Sequence, residues 1–351
     1  MCNRKKLCKR AAALVFGIGL VLGILPATQA QAANEGTATL RIISTTDLHG
    51  QSVNQNYDSA SEHPVGSLAQ VYTLIKNARS SLKYGASVTL DIGDTVYGYG
   101  SDSIMNGAVT GTEYMYAEMK TMGYDAITIG NHDFDYGYEY IAEALKDAGM
   151  NKKVVVSNVY SAKTRNPVWA ENKVITKTMT TTKGVKKKVR VGLFGVTDPM
   201  LTSHYSHTGI LVVEDIVESA KEQVAKLKEQ NVDVIVALAH SGIGSEQYSS
   251  FASDAVYQLS KVDGIDAIMM GDDHVNFPSD DANVQKYYSY PGITEDGMIN
   301  GKVAVSVADH GAGIGIADLK LKFANGGVKV VSKSAKLKMV KSTTEPDASI
   351  V

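Results

Sequence analysis

Cysteine is nearly missing from this 351-residue chain: its two cysteines, Cys2 and Cys8, both lie among the first ten positions. That stretch reads as a leader. Arg4, Lys5, Lys6, Lys9 and Arg10 precede an apolar run from Ala11 to Leu25, and Ala30-Gln31-Ala32 follows it, the three-part pattern of a secretory signal cut after Ala32. The run is shorter than the roughly 20 apolar residues of a membrane span and contains three glycines. The expected location is therefore outside the bacterial cytoplasm: secreted, or in the cell envelope or periplasm. The cysteines precede the apolar run, so neither is placed for lipid attachment, and residues 33–351 have no thiol for a disulfide or a thiolate-held metal. Basic charge is also short. Without the five basic residues of the leader, 30 basic side chains face 37 acidic ones, a net charge of −7 that argues against binding a nucleic-acid duplex through a basic surface. Any metal site must use His, Asp, Glu and Asn, which suit Mn, Mg, Ca, Fe or Zn better than soft copper.

What is present is a rhythm. Short apolar runs (Ala38 to Thr45, Ser87 to Ile92, Asp125 to Ile129, Val154 to Val156, Arg190 to Val196, Val232 to Ala239, Ile265 to Met270, Val303 to Val307) alternate with amphipathic stretches. Those stretches, Leu68 to Leu82, Glu113 to Met122, Glu139 to Ala148 and Ile216 to Glu229, read as helices. The alternation predicts an α/β layered sandwich with strands buried between helices. Lys173 to Val196 reads as a hairpin turning at Lys183-Gly184, and residues 341–351 as a polar, frayed tail after a catalytic domain over residues 33–340.

Ligands in open α/β sheets bind beyond the carboxyl ends of strands, so the residues after each run matter most. They are Asp47-Leu48-His49, Gly93-Asp94, Gly130-Asn131-His132-Asp133-Phe134-Asp135, His240, and Gly271-Asp272-Asp273-His274. A lone Asp-x-His is ordinarily a turn, but five strand ends carrying metal-binding types point to one centre. The other histidines, His63, His204, His207 and His310, read as ordinary. Tyr97, Tyr99, Tyr114 and Tyr116 would line a base-binding cleft or, as is commoner, pack half-buried with the hydroxyl in water.

In that order these motifs resemble the calcineurin-like metallophosphoesterases. Gly123-Tyr124-Asp125-Ala126, Gly130 to Gly137, His240-Ser241-Gly242 and Gly264 to Ile268 resemble the 5′-nucleotidase superfamily within them, nearest its branch of bacterial 2′,3′-cyclic-nucleotide phosphodiesterases/3′-nucleotidases. Phe277-Pro278, Asn300-Gly301-Lys302 and Gly313-x-Gly315-x-x-Asp318-Leu319 extend the likeness over about Leu40 to Leu321. The resemblance implies a four-layer α/β/β/α sandwich and two divalent ions, Mn²⁺ foremost, with Mg²⁺, Zn²⁺, Fe²⁺ or Ca²⁺ as alternatives. Asp47, His49 and His274 would hold one ion, Asn131 and His240 the other, and Asp94 would bridge them. His132, oriented by Asp135, would protonate or stabilise the leaving oxygen while metal-activated water attacks a nucleotide phosphoester in line.

Two departures stand out. Asp272 occupies the place where the family usually has histidine; as a ligand it would harden the second position toward Mn²⁺ or Mg²⁺. The chain also stops near the linker to the family's nucleobase-stacking domain, and none of Arg41, Arg79, Arg165 and Arg190 falls in a motif to clamp phosphate. Two alternatives to the hydrolase stay open: a metal-dependent phosphate or nucleotide binder with impaired catalysis, and a half-enzyme needing a separate nucleotide-binding domain.

Overall fold

The computed structural model describes residues 34–53, 66–98, 113–201, 209–325 and 327–350. The leader, His63, Tyr99, His204 and His207 lie outside the described residues. In chain order the strands are β1 (Asn34–Thr45), β2 (Gly85–Asp91), β3 (Ala126–Ile127), β4 (Val159–Ser161), β5 (Asn172–Thr180), β6 (Lys186–Val196), β7 (Leu211–Val213), β8 (Val234–Ala239), β9 (Ala267–Met270), β10 (Ile293–Thr294), β11 (Met298–Ile299), β12 (Lys302–Val305), β13 (Gly313–Ala324) and β14 (Gly327–Met339). The helices are α1 (Leu68–Ser80), α2 (Tyr114–Met122), α3 (Tyr138–Asp147), α4 (Ile216–Glu229), α5 (Val256–Leu259) and α6 (Ala282–Gln285).

Two sheets carry the fold, one ordered β14-β13-β1-β2-β3 and the other β10-β11-β12-β9-β8-β6-β5, while β4 and β7 form a small ribbon. Period-two alternation turns one side of each sheet toward the other. Leu40, Ile42, Val88, Leu90, Leu319 and Leu321 from the first sheet pack in one cluster with Val191, Leu193, Val236, Leu238 and Met269 from the second. The outer face of the first sheet takes α1, α2 and α3 through Val71, Ile75, Met119, Ile141 and Leu145. The outer face of the second takes α4 and α5 through Ala220, Val224, Leu227 and Leu259. These are the four layers, α/β/β/α. All six residues of β8 are buried because both of its faces are covered, which is why the run has no polar alternation.

Local chemistry sets the boundaries. Asp215 caps α4 by accepting from Val217 N and Glu218 N at 2.9 and 3.0 Å, and Lys226 and Lys228 end that helix where cations oppose its dipole. Ser67 caps α1, accepting from Gln70 N at 3.2 Å. The run Val154 to Val156 is no separate strand. Its surroundings divide the donors between the two sheets, Val155 N to Ile127 O at 2.9 Å and Ser157 N to Gly195 O at 2.7 Å, so only isolated bridges form. Residues 341–350 are not frayed either. Asp347 pairs with Lys76, Asp347 N donates to Ala69 O at 2.9 Å, Gln70 Nε2 donates to Thr344 O at 2.9 Å, and Ile350 is buried, which holds the tail along α1.

Candidate metal centre

The carboxyl ends of β1, β2, β3, β8 and β9 meet at one edge of the two sheets, and the chain leaves β1, β2 and β9 in an unusual conformation. Asp47, His49, Asp94, Asp272 and His274 all have positive φ, between 46° and 84°. A non-glycine residue held there carries strain of about 1–3 kcal/mol, tolerated only where the surroundings fix it, and such residues gather at functional sites. Two glycines make the approach possible. Gly93, at φ 99°, precedes Asp94, and its Cβ would lie 2.4 Å from Gly130 N; a Cβ on Gly130 would lie 2.1 Å from Asp94 Oδ1.

The turns are stitched together by backbone bonds, Asp47 N to Gly93 O and His49 N to Asp94 O, both 2.9 Å. Behind them Asp133 accepts from the N–H groups of Asp94, Thr95, Val96 and Gly130 at 2.9 to 3.0 Å. Its role as a brace was not read from the sequence, although a carboxylate three residues after Gly130 is placed to collect such donors.

Every site residue expected from the sequence is brought into one cluster. One ligand atom from each of Asp47, His49, Asp94 and His274 falls within 4.8 Å of all the others. His274 Nε2 is 3.2 Å from His49 Nε2 and 3.4 Å from Asp47 Oδ1. On the other side of Asp94, His240 Nε2 lies 3.3 Å from Asp94 Oδ2, 2.9 Å from Asn131 Oδ1 and 3.5 Å from Asp272 Oδ1. His240 Nδ1 donates to Ile92 O at 2.8 Å, which turns Nε2 toward that group. His132 N donates to Asp94 Oδ1 at 2.9 Å, and His132 Nδ1 donates to Asp135 Oδ2 at 2.7 Å.

The electrostatics are those of a cation site. Burial alone would raise the Asp94 carboxyl, but His240 and His49 hold it well below the usual carboxylate range. Burial likewise opposes charge on His240, and Asp94 overcomes it, raising His240 well above a normal imidazole. His49 is lowered by burial, which favours the neutral ring that ligates metals. Burial pushes Asp272 up to about 7 against the pull of His240. Bonds to Asp309 and Asp47 raise His274 to about 10.

Divalent ions fit this donor set on one observation above all. Asp94 Oδ2 is buried without a hydrogen-bond partner, 4.0 Å from His49 Nε2 and 3.3 Å from His240 Nε2. A carboxylate oxygen left so among metal-binding rings needs a cation.

Three further residues border the centre. Tyr97 stacks on His132 with ring centroids 5.0 Å apart and a 14° interplanar angle; it is partly exposed, whereas Tyr116 is buried and Tyr114 donates to Gly50 O at 2.7 Å. Asp309 Oδ2 accepts from His310 Nδ1 at 2.8 Å and lies 3.3 Å from His274 Nδ1, so His310 is part of the site edge and not an ordinary surface histidine.

The fold and this cluster define a metallophosphoesterase. A family model for calcineurin-like phosphoesterases matches residues 40–276, and the chain belongs to that family. The 2′,3′-cyclic-nucleotide 2′-phosphodiesterase/3′-nucleotidase of Yersinia enterocolitica is 31% identical over 325 residues, 91% of this chain and 49% of that protein. The trifunctional nucleotide phosphoesterase protein YfkN of Bacillus subtilis is 32% identical over 340 residues, 92% of this chain and 22% of that protein. The chain thus spans half or less of the length of these curated relatives. The crystal structure of calcineurin-like phosphoesterase YfkN from Bacillus subtilis superposes with a TM-score of 0.79 at 31% identity, covering 90% of this chain and 95% of that one.

Proposed function

We propose that this chain is an exported phosphoesterase with a dinuclear metal centre that hydrolyses nucleotide phosphoesters, namely 2′,3′-cyclic nucleotides and 3′- or 5′-nucleotides. The observation that carries the reading is the buried Asp94 Oδ2, which accepts no hydrogen bond and faces the rings of His49 and His240. It supports a bridging role for Asp94, with Asp47, His49 and His274 holding one ion and Asn131, His240 and Asp272 the other. Bound divalent ions supply Lewis-acid charge to phosphoryl oxygens and activate water. Mn²⁺ is the first choice because the donors are three carboxylates, three imidazoles and an amide, without a soft ligand.

The protein's own groups do the rest. Asp135 accepts from His132 Nδ1 and raises the imidazole above its ordinary value, so the ring keeps a proton to deliver to the departing oxygen. The bond from His132 N to Asp94 Oδ1 ties that proton donor to the carboxylate at the middle of the cluster, fixing its place beside it. The names of the relatives from Yersinia and Bacillus support nucleotides as the substrate class.

The test is a panel of phosphomonoesters and phosphodiesters, nucleotides included, offered to metal-stripped protein refilled with Mn²⁺, Mg²⁺, Zn²⁺, Ca²⁺ or Fe²⁺. Turnover restored by Mn²⁺, with two ions per chain, is expected. Metal binding without turnover on any ester would leave a binding protein in place of the enzyme.

A further inference from the structure

His132 with Asp135 is not the only histidine–carboxylate pair at the centre. Just beyond the carboxyl end of β12, His310 Nδ1 lies 2.8 Å from Asp309 Oδ2, close to the 2.7 Å of the His132–Asp135 pair. Both rings sit against the same ligand, since His49 has its centroid 5.2 Å from that of His310 and 5.7 Å from that of His132. His310 is also pinned by its backbone: its N–H donates to Asp47 O at 2.7 Å, and its φ of 52° is the same left-handed conformation that Asp47 and His49 adopt. Strain of this kind on a histidine is retained where position matters. With Nδ1 toward Asp309, Nε2 lies at the opposite edge of the ring, and the His310 side chain is 30% exposed at the border of the centre.

A phosphoryl group needs donors in addition to the metals, and three of the described arginines are engaged elsewhere. Arg41 is forked onto Asp318, Arg79 holds Thr89 and the Met122 carbonyl, and Arg190 bonds the carbonyls of Gln230 and Asn231. Among the described residues no lysine or arginine forms an ion pair with Asp47, Asp94 or Asp272.

We propose that His310, oriented by Asp309, contacts the substrate as an imidazolium, with its Nδ1–H on Asp309 and its Nε2–H donated to a terminal phosphoryl oxygen, biasing the centre toward phosphomonoesters. This rests on the phosphoesterase reading. A monoester has one more terminal oxygen and one more negative charge than a diester. With His132 serving the leaving oxygen, that additional oxygen is the one His310 serves. Asp309 is a positioning residue in this scheme.

The experiment uses the Mn²⁺-loaded full chain with p-nitrophenyl phosphate and bis(p-nitrophenyl) phosphate, and titrates inorganic phosphate calorimetrically as a measurement independent of turnover. His310→Ala is expected to raise KM for the monoester about tenfold and weaken phosphate binding about tenfold, the size of one hydrogen bond to a charged group. The diester KM should change less than about threefold, and metal content should stay as in the wild type. His310→Gln, whose amide restores a donor, should recover most of the loss, and His310→Phe, which keeps the ring packing on His49, should not. Equal losses on both esters, unchanged phosphate binding, or a loss explained by missing metal would each overturn the proposal. Should the wild type cleave neither ester, the phosphoesterase reading fails on that result, and the phosphate titration still decides the role of His310.

Discussion

Asp94 and Asp133 are both buried and are joined by one bond, Asp94 N to Asp133 Oδ2 at 2.9 Å, yet they sit in opposite surroundings. Asp94 faces the rings of His240 and His49, which hold it ionised against its burial. Asp133 faces backbone N–H groups, and burial followed by the charge of Asp94 pushes it up to about 7. Asp91, behind the same turn with Thr45 and Thr95 as its donors, is also pushed up to about 7 by burial. Burial is common to all three, so what separates Asp94 from the other two is that imidazole rings stand in front of it. That division is open to direct tests.

The largest effect belongs to the carboxylate with histidines on both sides. Asp94→Asn is expected to abolish turnover and to lower bound metal, because a neutral amide bridges two cations poorly. Metal analysis beside a turnover assay checks it; two ions per chain with near-normal turnover would remove Asp94 from the bridging role.

A smaller loss, about 10²- to 10⁴-fold, is expected for His132→Ala on esters with poor leaving groups, since that is the range for a general acid. Metal should be retained. Nitrophenyl esters, whose leaving group needs little protonation, should suffer less, and an equal loss on both kinds of ester would strip His132 of the acid role while leaving charge stabilisation possible for it.

The division between ligands and braces was only half legible in the sequence. Strand ends carrying Asp47, His49, Asp94, Asn131, His240 and His274 could be read because a buried apolar run followed by metal-binding types is a local signal. Applied to the last run, the same rule points at Ala308-Asp309-His310, which lies in none of the motifs that carry the resemblance. Positive φ at Asp47, His49 and Asp272 has no signature in non-glycine residues; it is imposed by bonds such as His310 N to Asp47 O. In the fold, the hairpin of β13 and β14 went unread although Leu319-Lys320-Leu321-Lys322-Phe323 alternates with period two, its leucines in the inter-sheet core. The docking of the tail has no signature in the sequence, because two of its contacts with α1 are made by the backbone carbonyls of Thr344 and Glu345 and a third by the Asp347 carboxylate beside Lys76.

Asp272 tests the boundary of the comparison, because it has a single imidazole in front, His240 Nε2 at 3.5 Å, and burial still pushes it up to about 7. If it works as a ligand, Asp272→His exchanges an anionic donor for a neutral one and shifts activation from Mn²⁺ or Mg²⁺ toward Zn²⁺, by about tenfold in relative affinity. Titration should show two binding events, with only the weaker moved. Anomalous scattering that found one ion, with the residue at 272 turned away, would class Asp272 with the braces.

The last effect is on stability alone and is expected at Glu118, where a carboxyl has a hydroxyl in front and no imidazole. Ser52 Oγ lies 2.7 Å from both of its carboxyl oxygens, and burial pushes it up to about 7. In the unfolded chain the same group loses its proton near 4.5, the ordinary glutamate value. Between those two values the folded state binds more protons than the unfolded one, so this group lowers stability as pH rises through the window and no further above it. Glu118→Gln keeps an acceptor for Ser52 and removes the titration. The variant should therefore match the wild type near pH 4.5 and exceed it by about 2–3 kcal/mol at pH 8, the free-energy equivalent of the shift. Urea unfolding of both proteins at several pH values isolates the term, since Asp91 and Asp133 titrate identically in each. A stability difference that stayed constant across the range would mean that Glu118 is ionised in the fold with a cation before it, and that the absence of a cationic partner is not what sets the buried acids behind the centre apart.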